Sequence, residues 1–580
     1  MEPLEPTEAE RKVIEAAAKG EYCDFAAEHP GDTDPPNGAA WGDDRTVGSK
    51  IIRALALCQR PNDWPVHAKG VRVVGAKITG PLDFEAATVL VPLGLLRCYI
   101  EKPIILRDAS TRTISLAGSQ VPGITADRVS VDGAVFLRDG FHARGEVRFL
   151  GARIRASLDC RTGTIANDDG TALNCDGARV DGSVVLNKGF RAEGEVRFVG
   201  AKIGGNLDCE KGTFDKEGDR ALSCDGAEIG GDVSLNDGFC ARGEVGLAGV
   251  KIGGDLNCTK GTFENERRDA LSCDHVEVGG NVFLSKGFQA KGEVRFPSAS
   301  ILGQFVCEGG AFANTAACAL RLESARVHRG LFFRRLKQKP EGTVDLTQAW
   351  VDALIDDEAS WPAKGNLSLD GFAYDRIGGD KPLTDSETRL RWLHLQPAEH
   401  LKTGFRPQPF EQLVAVLRKM GHEHDARKIA IEKQRLLRRS GRLGPWDRII
   451  NWLLGVIVGH GYRPWRAVSW ALAVVLFGWG VFDVAEGRQL IVPAKERVYM
   501  SPAYIERAEL PPEYPQFRAF VYSLDVFLPI VELHQEEYWL PLANGLKGWA
   551  VWIYMWLHIA FGWVLTSLAV LGLGGVIKKD

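Results

Sequence analysis

Gly140–Phe149 reads GFHARGEVRF, and nearly the same phrase returns as GFRAEGEVRF from Gly189, GFCARGEVGL from Gly238 and GFQAKGEVRF from Gly287. Phe141, Phe190, Phe239 and Phe288 therefore recur every 49 residues, as do Cys160, Cys209, Cys258 and Cys307, and again Cys175, Cys224 and Cys273. A fixed period of this size belongs to solenoids and propellers. The register holds from about Phe141 to about Phe333 and divides further. Gly151, Gly177, Gly200, Gly226 and Gly249 open GARI, GARV, GAKI, GAEI and GVKI at alternating steps of 26 and 23 residues. Each 49-residue repeat is thus a double coil, with about 24 residues per coil and short alternating stretches such as EVRF, NLDC and DVSL between glycines. Coils of this kind build a β-helix, whereas a propeller blade needs four longer strands. The expected fold class is an all-β solenoid with α-helical caps and a two-helix transmembrane module near the carboxyl end. The three extra residues of alternate coils fall in IANDDGTA, DKEGDRA and ENERRDA, expected to bulge from one side as polar loops.

Twelve cysteines need a reason. Column-mates two coils apart are separated by about 9.6 Å at about 4.8 Å per rung, and disulfide partners need Cα atoms within about 7 Å. No C-x-x-C occurs, so neither a zinc ribbon nor a thioredoxin-like site is indicated. The cysteines read as small buried apolar fillers in a reducing compartment. Cys240 differs: its column-mates are His142, Arg191 and Gln289, so it is expected to face solvent.

With 580 residues, a net charge of −4 and 65 glycines, the chain reads as several domains around a glycine-cornered rod. Residues 1–66 look like a cap over the first rung, with Thr7 as helix N-cap before EAERKVIEAAAKG, a second helix at Gly48–Leu57, and breaks at Pro61 and Pro65. This acidic start holds no basic apolar leader, which with free thiols points to a cytoplasmic solenoid. Residues 67–377 form the solenoid, opening with GVRVVGAKITGPLDF and ending with GNLSLDGFAYDRI. Its long flat sides suit a protein partner. Residues 378–445 read as a helical neck whose helix pair around Gly421 has tetratricopeptide-like spacing, with His422 and His424 in a polar turn.

Between Arg427 and Arg466 ten Lys or Arg (Arg442 among them) face two acids, Glu432 and Asp447. Nucleic acid is one reading of such a run, but the sequence beyond it is a membrane module, 446–580. Segment 448–461 reads as an interfacial helix, 466–485 and 549–577 as two spans, and 518–533 as a re-entrant helix or one lying on the outer surface. Basic residues outside both spans, Lys578 and Lys579 included, place both termini in the cytoplasm. The re-entrant stretch FVYSLDVFLPIVEL carries Ser523, Asp525, Pro529 and Glu532; in an oligomeric pore Asp525 and Glu532 would form acidic rings. His558 lies inside the second span and is a functional candidate by position. Trp549, Trp552, Trp556 and Trp563 form a helical stripe beside it.

The coil phrases resemble bacterial β-helix repeats of the pentapeptide and bactofilin kind. The layout of these coils followed by PFEQLVAVLRKMGHEHDARKIAIEKQ, GHGYRPWRA and YSLDVFLPIVEL resembles a bacterial family often labelled membrane-associated oxidoreductase. Span, short helix, span is similar to two-span pore-loop channels. These resemblances imply a bacterial inner-membrane protein. The first reading is a non-enzymatic one: a cytoplasmic sensing or scaffolding solenoid coupled to a module that forms a pore. The second is an oxidoreductase working around His558 and the tryptophan stripe, and the third is a tethered scaffold. No catalytic, cofactor-binding or metal residue is assigned and no cofactor is expected, since the chain has no G-x-G-x-x-G after a strand, no C-x-x-C-H and no iron–sulfur spacing. The expected partners are membrane lipid, further copies of the chain and a protein on the solenoid face, not nucleic acid.

Overall fold

The computed structural model describes residues 4–58, 64–440, 444–460, 462–463, 465–507 and 509–573. Pro61, Arg442, Lys578 and Lys579 lie outside the described residues. The chain forms two compact units, one of Met1–His400 with Gln408–His422, the other of Leu401–Pro407 with Glu423–Asp580.

The first unit is a parallel β-solenoid of about 13 turns. Its strands are two to eleven residues long, and each pairs in parallel with its counterpart one coil away. Along one face Ile154, Val180, Ile203, Ile229, Ile252, Val278 and Ile301 stack in register, reproducing the alternation of 26 and 23 residues. Earlier coils are tighter, advancing 22 residues from Val71 to Leu93 and 20 from Thr111 to Val131. Inside, Phe190, Phe214, Phe239, Phe263, Phe288 and Phe312 form a ladder with ring centroids 5.2 to 5.6 Å apart. The repeat phrase reveals every second rung of it; the intervening phenylalanines come from the coils between. Cys160, Cys175, Cys209, Cys224, Cys258, Cys273 and Cys307 are buried free thiols. Cys240 is half-buried between Thr213 and Thr262 of adjacent coils rather than open to solvent, because parallel pairing shields its flanks.

The three polar segments expected as loops are instead parts of continuous strands, Thr164–Asn174, Thr213–Ser223 and Thr262–Ser272, and Ala311–Arg321 is a fourth strand of the same length. Each strand bulges: Ala166 pairs with Glu193 but Thr171 with Glu195, so the three-residue excess is absorbed without breaking the ladder. Asparagine side chains brace three of the bulges, Asn167 Nδ2 donating to the Thr171 carbonyl at 2.8 Å, Asn265 to Asp269 at 2.7 Å and Asn314 to Cys318 at 2.8 Å. Aspartates at every second rung are each neutralised by an arginine: Arg148 pairs with Asp127, Arg197 with Asp176 and Arg295 with Asp274. Where GEVGL replaces GEVRF, Arg220 of the neighbouring strand takes Asp225 instead.

Both ends of the ladder are closed. At the start, helix α1 (Glu8–Lys19) is set by a capping box between Thr7 and Glu10, and Glu10 also accepts the Gly48 amide at 2.9 Å ahead of α2 (Ser49–Leu57). The amino-terminal segment also lends strands of its own, Cys23–Asp24 pairing with Val73–Val74 and Thr46–Gly48 with Lys77–Thr79. At the other end, α3 (Ser386–Leu393) buries Arg389 against Asp356 at the end of strand Trp350–Asp356, with hydrogen bonds of 2.8 and 2.7 Å. Helix α4 (Gln408–Lys419) covers the last strand. Gln408 bonds the Gly371 amide at 2.9 Å and the Phe372 carbonyl at 3.1 Å, while Gln412 bonds the Tyr374 carbonyl at 2.6 Å. Glutamine side chains thus satisfy backbone groups that a further coil would have bonded.

In the second unit α5 (Glu423–Arg439) and α6 (Pro445–Ile457) are joined by Asn451 Nδ2 donating to Gln434 Oε1 at 3.1 Å. Two apolar helices long enough to cross a membrane follow, α7 (Trp465–Gly487) and α9 (Gly545–Leu573), with the short α8 (Ala519–Phe527) between them. An antiparallel pair, Ile491–Pro493 with Trp539–Pro541, ties the connecting segment. The long helices leave Trp470, Leu472, Phe477, Trp479, Trp556, Leu557, Phe561 and Trp563 exposed. Exposed apolar surface along long helices marks a membrane or protein-interaction face.

Candidate functional site

Helix α8 has the sequence AFVYSLDVF, and its polar residues turn inward while the apolar neighbours fill the gaps between α7 and α9. Ser523 Oγ donates to the Val475 carbonyl of α7 at 2.8 Å and lies 3.3 Å from Nε2 of His558 on α9. The same Nε2 is 3.0 Å from the Ser523 carbonyl, and Nδ1 is 3.2 Å from the Tyr554 hydroxyl. One assignment satisfies all of these: Nε2–H donates to the Ser523 carbonyl and Nδ1 accepts from Tyr554. Phe482 and Phe527 wall the imidazole at centroid distances of 5.9 and 5.5 Å.

Two glycines make room for this junction. A Cβ on Gly478 would stand 2.5 Å from His558 Cε1 and nearer still to Ser523 Oγ, and one on Gly562 would collide with the Phe527 carbonyl. Small residues at such points let helix backbones approach closely enough for interhelical hydrogen bonds.

Of the sequence-derived candidates, the fold brings Ser523 and His558 together and keeps Asp525, Pro529 and Glu532 out of that junction. Asp525 is buried; its oxygens accept the amides of Leu533 at 2.6 Å and Glu536 at 2.8 Å, pinning the turn that holds Pro529. Burial, then the Asp525 charge, pushes the Glu536 carboxyl up. Glu532 is exposed and has no hydrogen bond or ion pair with other described residues. Trp549, Trp556 and Trp563 point outward from α9, away from His558, while Trp552 donates to the Pro541 carbonyl at 2.7 Å. Among the described residues, no group of three or more His, Cys, Asp or Glu is arranged around a common metal position.

The solenoid carries a second candidate, a furrow of about 790 Å³ crossing successive coils. Its floor is a column of glycines, Gly204, Gly230, Gly253 and Gly279, where any side chain would collide with the carbonyl of the preceding rung. One wall is a ladder of charges in which Lys202 pairs with Glu228 at 2.9 Å and Lys251 with Glu277 at 3.7 Å. The signal was present in the sequence as KIGG, EIGG, KIGG and EVGG, since Lys and Glu alternate with the step length. Its significance depends on seeing those glycines become a depression.

Comparison with protein families, with curated proteins and with solved structures gives no match.

Proposed function

We propose that this chain is a bacterial inner-membrane scaffold that binds a protein partner along its solenoid and is held in the bilayer by α7 and α9. The observation that carries the reading is the furrow. It is long, straight and floored by backbone, and its wall alternates Lys202, Glu228, Lys251 and Glu277 at rung spacing. An extended segment of another protein carrying charges of alternating sign matches that wall, and electrostatic complementarity of this kind sets register and specificity. The arginine-rich side of α7 faces the cytoplasm under the positive-inside rule, with the connection between the spans on the far side.

A photo-crosslinking residue at Leu302, an exposed residue lining the furrow, in the membrane-embedded chain tests this. A discrete adduct formed at Leu302 but not at Lys188, and lost when Lys251→Glu/Glu277→Lys is added, is expected. Identical adducts from both positions would overturn the proposal.

One observation favours a second reading. The short helix α8 packs against both long helices, as the re-entrant helix of a two-span pore module does. In an oligomer of such modules the exposed Glu532, rather than the bonded Asp525, faces the water path. Single-channel recording on the purified chain decides it: current whose cation selectivity falls in Glu532→Gln supports a pore, and silence leaves the scaffold.

A further inference from the structure

The second unit contains a basic pocket of about 600 Å³ enclosed by α5, α6 and the start of α7. Arg435 and Arg438 reach it from α5, and Arg463 and Arg466 from the entry to α7, with His460 between them. Arg435 is paired with Glu432 at 3.2 Å, but among the described residues no carboxylate pairs with Arg438, Arg463 or Arg466. Burial, then the charges of Arg438 and Arg435, hold the His460 imidazole down at about 4, so the pocket is strongly positive without the histidine being charged. Its remaining wall is aromatic: Trp452, Trp465 and Trp470 line it and are exposed on their outer faces.

Position turns this chemistry into a ligand. The pocket lies at the first turns of α7, where an apolar helix of 23 residues begins. If α7 spans the bilayer, that turn lies among lipid headgroups, with tryptophans at the depth where indoles concentrate. Guanidinium groups bind phosphate through paired N–H donors, and basic pockets at the cytoplasmic ends of membrane helices collect anionic headgroups.

We propose that this pocket binds the phosphodiester of one anionic phospholipid, its arginines on the phosphate and its tryptophans against the glycerol and upper acyl chains. The inference rests on reading α7 as a span. It adds a stoichiometric lipid to what would otherwise be nonspecific contact with the bilayer, and it gives Arg438, Arg463 and Arg466 an anionic partner.

Native mass spectrometry of the detergent-solubilised full chain tests it, with phosphatidylglycerol and phosphatidylcholine of matched acyl chains as probes. The expected result is one phosphatidylglycerol per chain, preferred roughly tenfold or more, the scale of one charged hydrogen bond lost on substitution. Arg438→Gln/Arg466→Gln should abolish the preference, Arg438→Lys/Arg466→Lys should weaken it while keeping the charge, and Arg448→Gln, outside the pocket, should leave it intact. Equal retention of both lipids by the wild-type chain would overturn the proposal. So would displacement of phosphatidylglycerol by millimolar inorganic phosphate or by single-stranded RNA, which would reassign the arginines to a free anion or to nucleic acid. A wild-type chain that stays soluble without detergent would remove the span reading itself, and is distinguishable from the other outcomes before any lipid is added.

Discussion

Ser523 and His558 meet at 3.3 Å over Gly478, so that three helices share one hydrogen-bonded junction. Ser523 bonds the Val475 carbonyl of α7, and His558 bonds the Ser523 carbonyl of α8 and the Tyr554 hydroxyl one turn earlier on its own helix. The junction holds α8 against two apolar helices; on the reading of these as spans, they have little hydrophobic drive to associate, and the hydrogen bonds supply attraction instead.

Gly478→Ala should lower the unfolding temperature of the detergent-solubilised protein more than Ser523→Ala does. The serine change removes hydrogen bonds worth about 1 kcal/mol net, whereas the added methyl meets two side chains and overpacking costs about 1–3 kcal/mol. The double variant should lose less than the two single losses combined, because removing Oγ relieves one of the clashes. Strict additivity would show that the two residues do not share the junction.

Arg389 and Asp356 are fully buried and joined by two hydrogen bonds, and Asp356 also accepts from Trp361 Nε1 at 2.9 Å. Truncating either partner leaves a charge without compensation, and Arg389→Ala should destabilise the solenoid by about 3–5 kcal/mol. Arg389→Lys should rescue little, since a point charge cannot bridge both carboxylate oxygens and the Leu383 carbonyl together. Chemical denaturation followed by circular dichroism measures both.

Gln408 and Gln412 stand between the last coil and a second molecule. Replacing both with alanine exposes unpaired backbone along Gly371–Tyr374, and unprotected strand edges template association. Light scattering should show assembly at concentrations where the wild-type chain keeps a constant size, with the β-sheet spectrum unchanged. Constant size in the variant would mean that α4 shields the edge by bulk alone.

The buried thiols make the solenoid base-sensitive. Burial pushes Cys98 up to about 12 from an ordinary 9.0, so between these values the unfolded chain releases a proton that the folded chain keeps. The stabilisation is complete below pH 9 and is lost as pH rises toward 12, by up to about 1.4 kcal/mol per pH unit for each such thiol. Cys98→Ala should flatten the fall of stability over that range, read from denaturant midpoints at successive pH values. Maleimide should label the exposed Cys58 first and the half-buried Cys240 slowly, and reach the column cysteines only on unfolding.

Much of the architecture was legible because it repeats. The 49-residue period with its steps of 26 and 23 is carried directly into strand register, and the bulges sit where the extra residues fall. Their description as loops missed that Asn167 and its counterparts supply side-chain bonds that let the strand run on. The solvent-facing assignment of Cys240 followed its polar column-mates, but a neighbour one coil away covers part of any residue in a ladder. The cap strands at Cys23–Asp24 escaped notice because two residues carry no periodicity.

The sequence by itself determined the solenoid and the two apolar helices, since both arise from local repetition: a coil period read over many copies, and an uncharged run of span length. Only the tertiary structure decided how single polar residues are used. Asp525 caps two amides, Ser523 joins α7, and His558, 35 residues further on, closes the junction. Those pairings depend on helices meeting at two glycines, a three-dimensional coincidence that occurs once and so leaves no pattern along the chain.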